Sequence, residues 1–139
     1  MSFGQRGSYV DLQVNGFMGI DFNDPATSVA DIARSAELMK ADGVETALPT
    51  VITGPLGDMS RCLANIRNAV DEFPIAREVF VGIHVEGPFI SSVKGYVGAH
   101  PIDAVRVDDL EAAPNACCRL GGRLGQTHDS RSRADPRAD

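Results

Sequence analysis

The sequence predicts an α/β chain whose strands run parallel and are joined by helical crossovers. Three observations carry this reading. Segments with strand character alternate with segments of helical spacing, in the order strand, helix, strand, helix, strand, which implies parallel pairing with right-handed connections. The run Val79-Phe80-Val81-Gly82-Ile83 is continuous, apolar, rich in β-branched residues and too short for a helix, the pattern of a strand covered on both faces. Two ionisable residues, His84 and Glu86, stand at its C-terminal end, and Gly87-Pro88 stops it there.

The first eight residues carry no periodic pattern. Tyr9 to Asn15 alternates polar and apolar side chains before Gly16, giving the first strand, with Gln13 and Asn15 on one face of its C-terminal end. Residues 16–27, with two glycines and Asn23-Asp24-Pro25, read as a loop. Ser28 is a candidate N-cap with Asp31 three residues on. Val29, Ile32, Ala33, Ala36, Leu38 and Met39 then recur at helical spacing, and Gly43 ends the helix.

Val44 to Thr50 is the second strand, followed by a loop holding Gly54-Pro55. Leu56 to Phe73 places Leu56, Met59, Leu63, Ile66, Ala69 and Val70 on one helical face, with a stop near Pro74. Cys62 within that helix reads as a small core residue rather than a nucleophile. The third strand is Val79 to Glu86, and Pro101-Ile102-Asp103 is placed to open a third helix with Val105, Val107 and Leu110 inside.

Composition narrows the function classes. A length of 139 residues suits one domain, and a net charge of −6 argues against a nucleic-acid surface or an anionic membrane as partner. No apolar run approaches a membrane span, and the N-terminus lacks the pattern of a signal peptide. Three cysteines, two of them adjacent at Cys117-Cys118, make no disulfide framework, so a reduced, cytoplasmic setting is expected. There is no Walker loop, no G-x-G-x-x-G after a strand, no G-x-S-x-G and no C-x-x-C.

Side chains two apart on a strand share a face, so His84 and Glu86 point the same way at the strand's end. A carboxylate beside an imidazole there can bind a divalent metal or act as an acid/base pair. Equally, His84 can satisfy a core hydrogen bond while Glu86 caps the next loop. Asp21 and Asp24, near the same end of the first strand, could line the site but read more readily as a solvated turn.

From Pro114 the pattern stops. The last 26 residues hold five arginines, no lysine, and Leu120 and Leu124 as the large aliphatics, which reads as a disordered or non-native tail over 114–139, with a coding sequence out of frame after about residue 113 as the favoured origin. The ordered unit is then 9–113. His128 lies in the tail and is given no metal role.

Five pieces in series carry a family resemblance: Asp11-Leu12-Gln13-Val14-Asn15-Gly16, Gly19-Ile20-Asp21-Phe22-Asn23-Asp24, Leu48-Pro49-Thr50, Gly82-Ile83-His84-Val85-Glu86-Gly87-Pro88-Phe89, and Gly98-Ala99-His100-Pro101. Together they resemble N-acetylglucosamine-6-phosphate deacetylase, of the amidohydrolase superfamily, over roughly Tyr9 to Leu110. The resemblance implies a metal-dependent (β/α)₈ TIM barrel of which this chain holds about three βα units, its active site at the C-terminal face. The implied reaction releases acetate from N-acetylglucosamine 6-phosphate.

It further implies that Glu86 is a metal ligand, that Ala99 and His100 contact the substrate, and that His84 stands behind the ligands. Gln13 and Asn15 fall where many amidohydrolases carry a His-x-His pair. Neutral amides are poor zinc ligands, so one divalent ion, zinc by expectation, is implied rather than two. Gln13 then orients bound water or substrate, with Asn15 behind it, or equally is a satisfied strand-end amide. The metal would activate water and polarise the amide. The general base, an aspartate on a late strand, and two metal-binding histidines belong to strands not found here, so no catalytic residue is assigned.

Tyr96-Val97 lengthens the loop before His100 relative to the family pattern. Three strands cannot close a barrel. The expectation is a truncated copy, inactive by itself, acting on a small amino-sugar phosphate in its full form, with homo-oligomers among full-length members. The alternative is a non-catalytic α/β fragment that binds a sugar phosphate or a partner. An amidohydrolase acting on a cyclic amide is disfavoured by Gln13-x-Asn15 with the two later motifs.

Overall fold

A computed structural model of the chain describes residues 8–90, 93 and 95–105. Strand β1 (Tyr9–Val14) is followed by a small hairpin, β2 (Gly16–Phe17) and β3 (Ile20–Asp21), then helix α1 (Val29–Ala41), strand β4 (Val44–Ile52), helices α2 (Leu56–Glu72) and α3 (Pro74–Val79), and strand β5 (His84–Glu86). The main sheet runs in the order β1-β4-β5, and both pairings are parallel, as the alternation of elements required. A 3₁₀ turn, Ile102–Ala104, stands where a third helix was expected; Val107 and Leu110 lie outside the described residues.

Each helix forms for a legible reason. Ser28 accepts from the Asp31 amide at 3.1 Å, and the two side chains are also hydrogen-bonded, so the capping pair is real. Gly43, with φ of 97°, follows the last turn of α1. Ile32, Ala33, Ala36 and Met39 of α1 pack with Met59, Leu63, Ile66 and Ala69 of α2 in one core that also takes Ala47 and Val51 from the inner face of β4. Phe22 and Phe80 close that core edge to face, their ring centroids 5.8 Å apart. Cys62 is buried in the same cluster, as expected of a small core residue.

Two readings of local structure are corrected. The expected strand from Val79 is shorter: Pro74 occupies the first turn of α3, where its missing N–H costs nothing, and the helix consumes Val79. Phe80 makes a single bridge to Ala47, and regular pairing begins at His84. Nor is the run covered on both faces, because Val81 is 63% exposed. The expected loop 16–27 contains the β2–β3 hairpin, turned at Met18 and Gly19. Both turn residues have positive φ (50° and 83°), as one of the two favoured two-residue hairpin turns, type I′, requires.

Tyr9, Val10 and Leu12 on β1 are each at least 60% exposed. Among the described residues both outer strands therefore have an unpaired edge, and β1 presents apolar side chains to solvent. No helix among the described residues is long and apolar enough to cross a membrane.

Candidate functional site

The parallel direction of β1, β4 and β5 puts their C-terminal ends on one side of the sheet. There the side chains of three separate segments meet. Glu86, the last residue of β5, accepts a hydrogen bond from Gln13 Nε2 of β1 at 2.7 Å on Oε2. Its other oxygen, Oε1, lies 3.2 Å from His100 Nε2. Glu86 keeps 34% of its side chain exposed, against 17% for His100. The carboxylate is thus oriented from both sides yet still open.

His100 reaches this place on the loop after β5, its amide bonded to the Val97 carbonyl at 3.2 Å and Val97 itself buried. Its Nδ1 is buried and has no hydrogen-bond partner among the described residues. If Nε2 carries the proton toward Glu86, Nδ1 is an acceptor awaiting a donor. Ala99 is exposed beside it. His84, paired with Thr50 in the ladder, lies with Nδ1 3.4 Å from Thr50 Oγ1, which in turn is bonded to the Leu48 carbonyl. Asn15 stands one residue beyond β1, its carbonyl receiving the Phe22 amide at 3.0 Å.

Of the residues singled out in the sequence, Gln13, Glu86 and His100 are brought together. His84 approaches Thr50 instead, and Asn15 is engaged through its backbone carbonyl. Asp21 and Asp24 are turn formers: each carboxylate accepts the backbone N–H two residues on, from Asn23 and Ala26.

Two further residues support the site and went unread in the sequence. Thr53 donates to the Glu86 carbonyl at 3.0 Å, pinning the end of β5 to the loop after β4. Gly87, with φ of 93°, allows that approach, since a Cβ there would lie 1.8 Å from Thr53 Oγ1. The other is Asn23, whose side chain is bonded to β4 at both Thr50 and Ile52. It falls inside a quoted motif, but an Asn beside Asp-Pro signals only a turn.

A cavity of about 240 Å³, lined by residues including Val51, Thr53, Met59 and Cys62, touches none of Gln13, Glu86 and His100. It belongs to the packing of α2 against β4. Among the described residues no group of three or more His, Cys, Asp or Glu side chains could hold a metal ion. One carboxylate fits one corner of a divalent-metal site, and the described residues do not complete it.

The chain is 34% identical over 104 residues to N-acetylglucosamine-6-phosphate deacetylase of Bacillus subtilis, a match covering 73% of this chain and 25% of that protein. It is 33% identical over 115 residues to N-acetylglucosamine-6-phosphate deacetylase of Bos taurus, covering 82% and 27%. The crystal structure of N-acetylglucosamine-6-phosphate deacetylase from Pasteurella multocida superposes with a TM-score of 0.62 at 29% identity, over 75% of this chain and 26% of that one. No family model matches the chain. The chain spans about a quarter of the length of the curated relatives it matches.

These relationships place the chain first in a class, the amidohydrolases with an α/β fold. Within that class it belongs with the N-acetylglucosamine-6-phosphate deacetylases and corresponds to their N-terminal part.

Proposed function

We propose that this chain is the first portion of an N-acetylglucosamine-6-phosphate deacetylase, contributing about three βα units of a (β/α)₈ barrel and one corner of its active site. The observation that carries this is the placement of Glu86. A carboxylate ends a parallel strand, held between Gln13 and His100 and still partly open. That is the rim where such barrels do their chemistry. The exposed Tyr9, Val10 and Leu12 on β1, and Val81 on the segment leading into β5, are what neighbouring barrel strands and helices would cover.

In this reading Glu86 is one ligand of a single divalent ion, zinc being the expected one. Its remaining ligands and the general base lie on elements outside this chain. Gln13 and His100 hold the Glu86 carboxylate in one orientation, and Gln13 keeps a second side-chain N–H for a bound ligand. His100, still partly open, and the exposed Ala99 beside it are the residues of this loop that contact the amino-sugar phosphate. His84 and Asn15 support the strand ends behind them. In this reading the barrel portion is 9–113 and the tail 114–139; residues 106–139 lie outside the described residues.

The polypeptide alone then lacks deacetylase activity, and its chemistry is recovered only in a completed barrel. The test is a chimera in which residues 9–105 replace the matching segment of the Bacillus subtilis relative. The chimera releases acetate from N-acetylglucosamine 6-phosphate in a metal-dependent way, while the isolated chain does not. A folded chimera without activity, or acetate release by the isolated chain, contradicts the reading.

A further inference from the structure

Strand β1 ends at Val14, opposite Pro49, yet β4 continues in regular form to Ile52. Something must satisfy the edge of β4 beyond Pro49, because a buried backbone amide left unpaired is costly. Thr50 and Val51 are buried here, so water does not reach the edge freely. The Asn23 side chain fills the place. Its Nδ2 donates to the Thr50 carbonyl at 3.0 Å, and its Oδ1 accepts from the Ile52 amide at 2.8 Å.

These are the two bonds that a residue on a parallel neighbour makes: one donated to the carbonyl before the facing residue, one accepted from the amide after it. Asn23 thus stands opposite Val51 as a one-residue strand made from a carboxamide. The β2–β3 hairpin explains how it arrives there. The chain leaves β1 at Asn15, turns at Met18 and Gly19, and returns so that the Phe22 amide bonds the Asn15 carbonyl at 3.0 Å. Asn23 also approaches the Asn15 carbonyl at 3.4 Å, which ties the end of β1 to the same point.

We propose that Asn23 is a positioning residue: by imitating a strand along β4 from Thr50 to Ile52, it fixes the segment on which β5 is registered and so sets Glu86 within reach of Gln13 and His100. Thr50, Val51 and Ile52 pair with His84, Val85 and Glu86 respectively, so the peptide groups that Asn23 holds on one edge fix the ladder that carries the carboxylate on the other. No other side chain among the described residues is bonded to both the Thr50 carbonyl and the Ile52 amide. The role given to Glu86 rests on the deacetylase reading, but the arrangement of Asn23, β4 and β5 does not.

The test is by NMR on the full chain. In the parent chain a through-hydrogen-bond coupling joins the Ile52 amide nitrogen to the Asn23 side-chain carbonyl carbon. Asn23→Ala speeds hydrogen exchange at the Ile52 amide at least tenfold relative to the Ile66 amide in α2, and the Gln13 side-chain N–H signals move to the position of a free carboxamide. Asn23→Asp keeps the acceptor, so it keeps Ile52 protected while losing the bond to Thr50. Comparison with Ile66 separates a local effect from general loosening. Absence of the coupling, unchanged relative exchange at Ile52 in Asn23→Ala, or an unmoved Gln13 signal overturns the proposal. The coupling is measured in the parent chain, so the bond from Ile52 to Asn23 is tested even where a variant fails to fold. None of these readouts involves deacetylation, so the positioning role and the activity stand or fall separately.

Discussion

Gln13 and Glu86 are hydrogen-bonded at 2.7 Å although β4 lies between their strands. Two strand spacings amount to about 9.6 Å, so only long side chains projecting on the same face can meet across the central strand's end. Residues 73 apart in sequence are joined where the parallel sheet presents its C-terminal rim.

Glu86→Gln separates charge from shape. In the chimera with the Bacillus subtilis relative it lowers acetate release by at least a hundredfold, because the neutral amide cannot serve as an anionic ligand. Its melting temperature stays close to that of the parent chimera, since the carboxylate is partly exposed and its bonds are not a main support of the fold. A variant that keeps its activity would remove Glu86 from the site.

Gly87→Ala destabilises the chain by about 1–3 kcal/mol, from positive φ at a residue with a Cβ and from collision with Thr53 Oγ1. Adding Thr53→Ala recovers part of the loss, because it removes the hydroxyl that the new methyl meets. Urea unfolding of the single and double variants measures both. A double variant no more stable than Gly87→Ala would show the contact to be irrelevant.

Ser28→Ala costs about 1 kcal/mol in the same assay, the usual effect of removing a side chain that caps a helix N-terminus. Ser28→Asp keeps most of the stability, because it can still accept from the Asp31 amide, though it sets a second carboxylate beside Asp31.

Cys62 has its thiol pKa raised, first by burial and then by the carboxylates of Asp58, Asp21 and Asp24. The folded chain therefore holds the neutral thiol to higher pH, while the unfolded chain ionises near the ordinary thiol value. Stability from this group is intact below that value and declines as pH rises through it toward the folded pKa. Iodoacetamide at pH 8, followed by peptide mapping, leaves Cys62 unmodified in the native chain and modifies it in urea. Rapid native modification would contradict its burial.

The sequence made the parallel sheet, the Ser28 cap, both long helices and the carboxylate at Glu86 legible, because each has a local cause: periodicity, a capping residue, or a strand followed by Gly-Pro. Pro74 was harder to read, because it stops one helix and starts another, and six residues are too few for α3 to show a helical period against the apolar run that follows. The hairpin was hidden because Met18-Gly19 lacks the Asn-Gly or Asp-Gly signature. The family resemblance put Gln13, Glu86 and His100 at the site, but the hydrogen bonds that join them were not legible, since spacing along a chain does not encode contacts across three segments. Asn23 was concealed for the same reason: its partners are backbone atoms of β4, which no side-chain pattern reports.

The most direct measurement is zinc-edge anomalous diffraction from crystals of the chimera carrying residues 9–105. One anomalous peak is expected at the rim of the sheet, with a Glu86 carboxylate oxygen about 2.0–2.2 Å from it. A peak bound by other residues, with Glu86 turned away into solvent, would contradict the role given to that carboxylate.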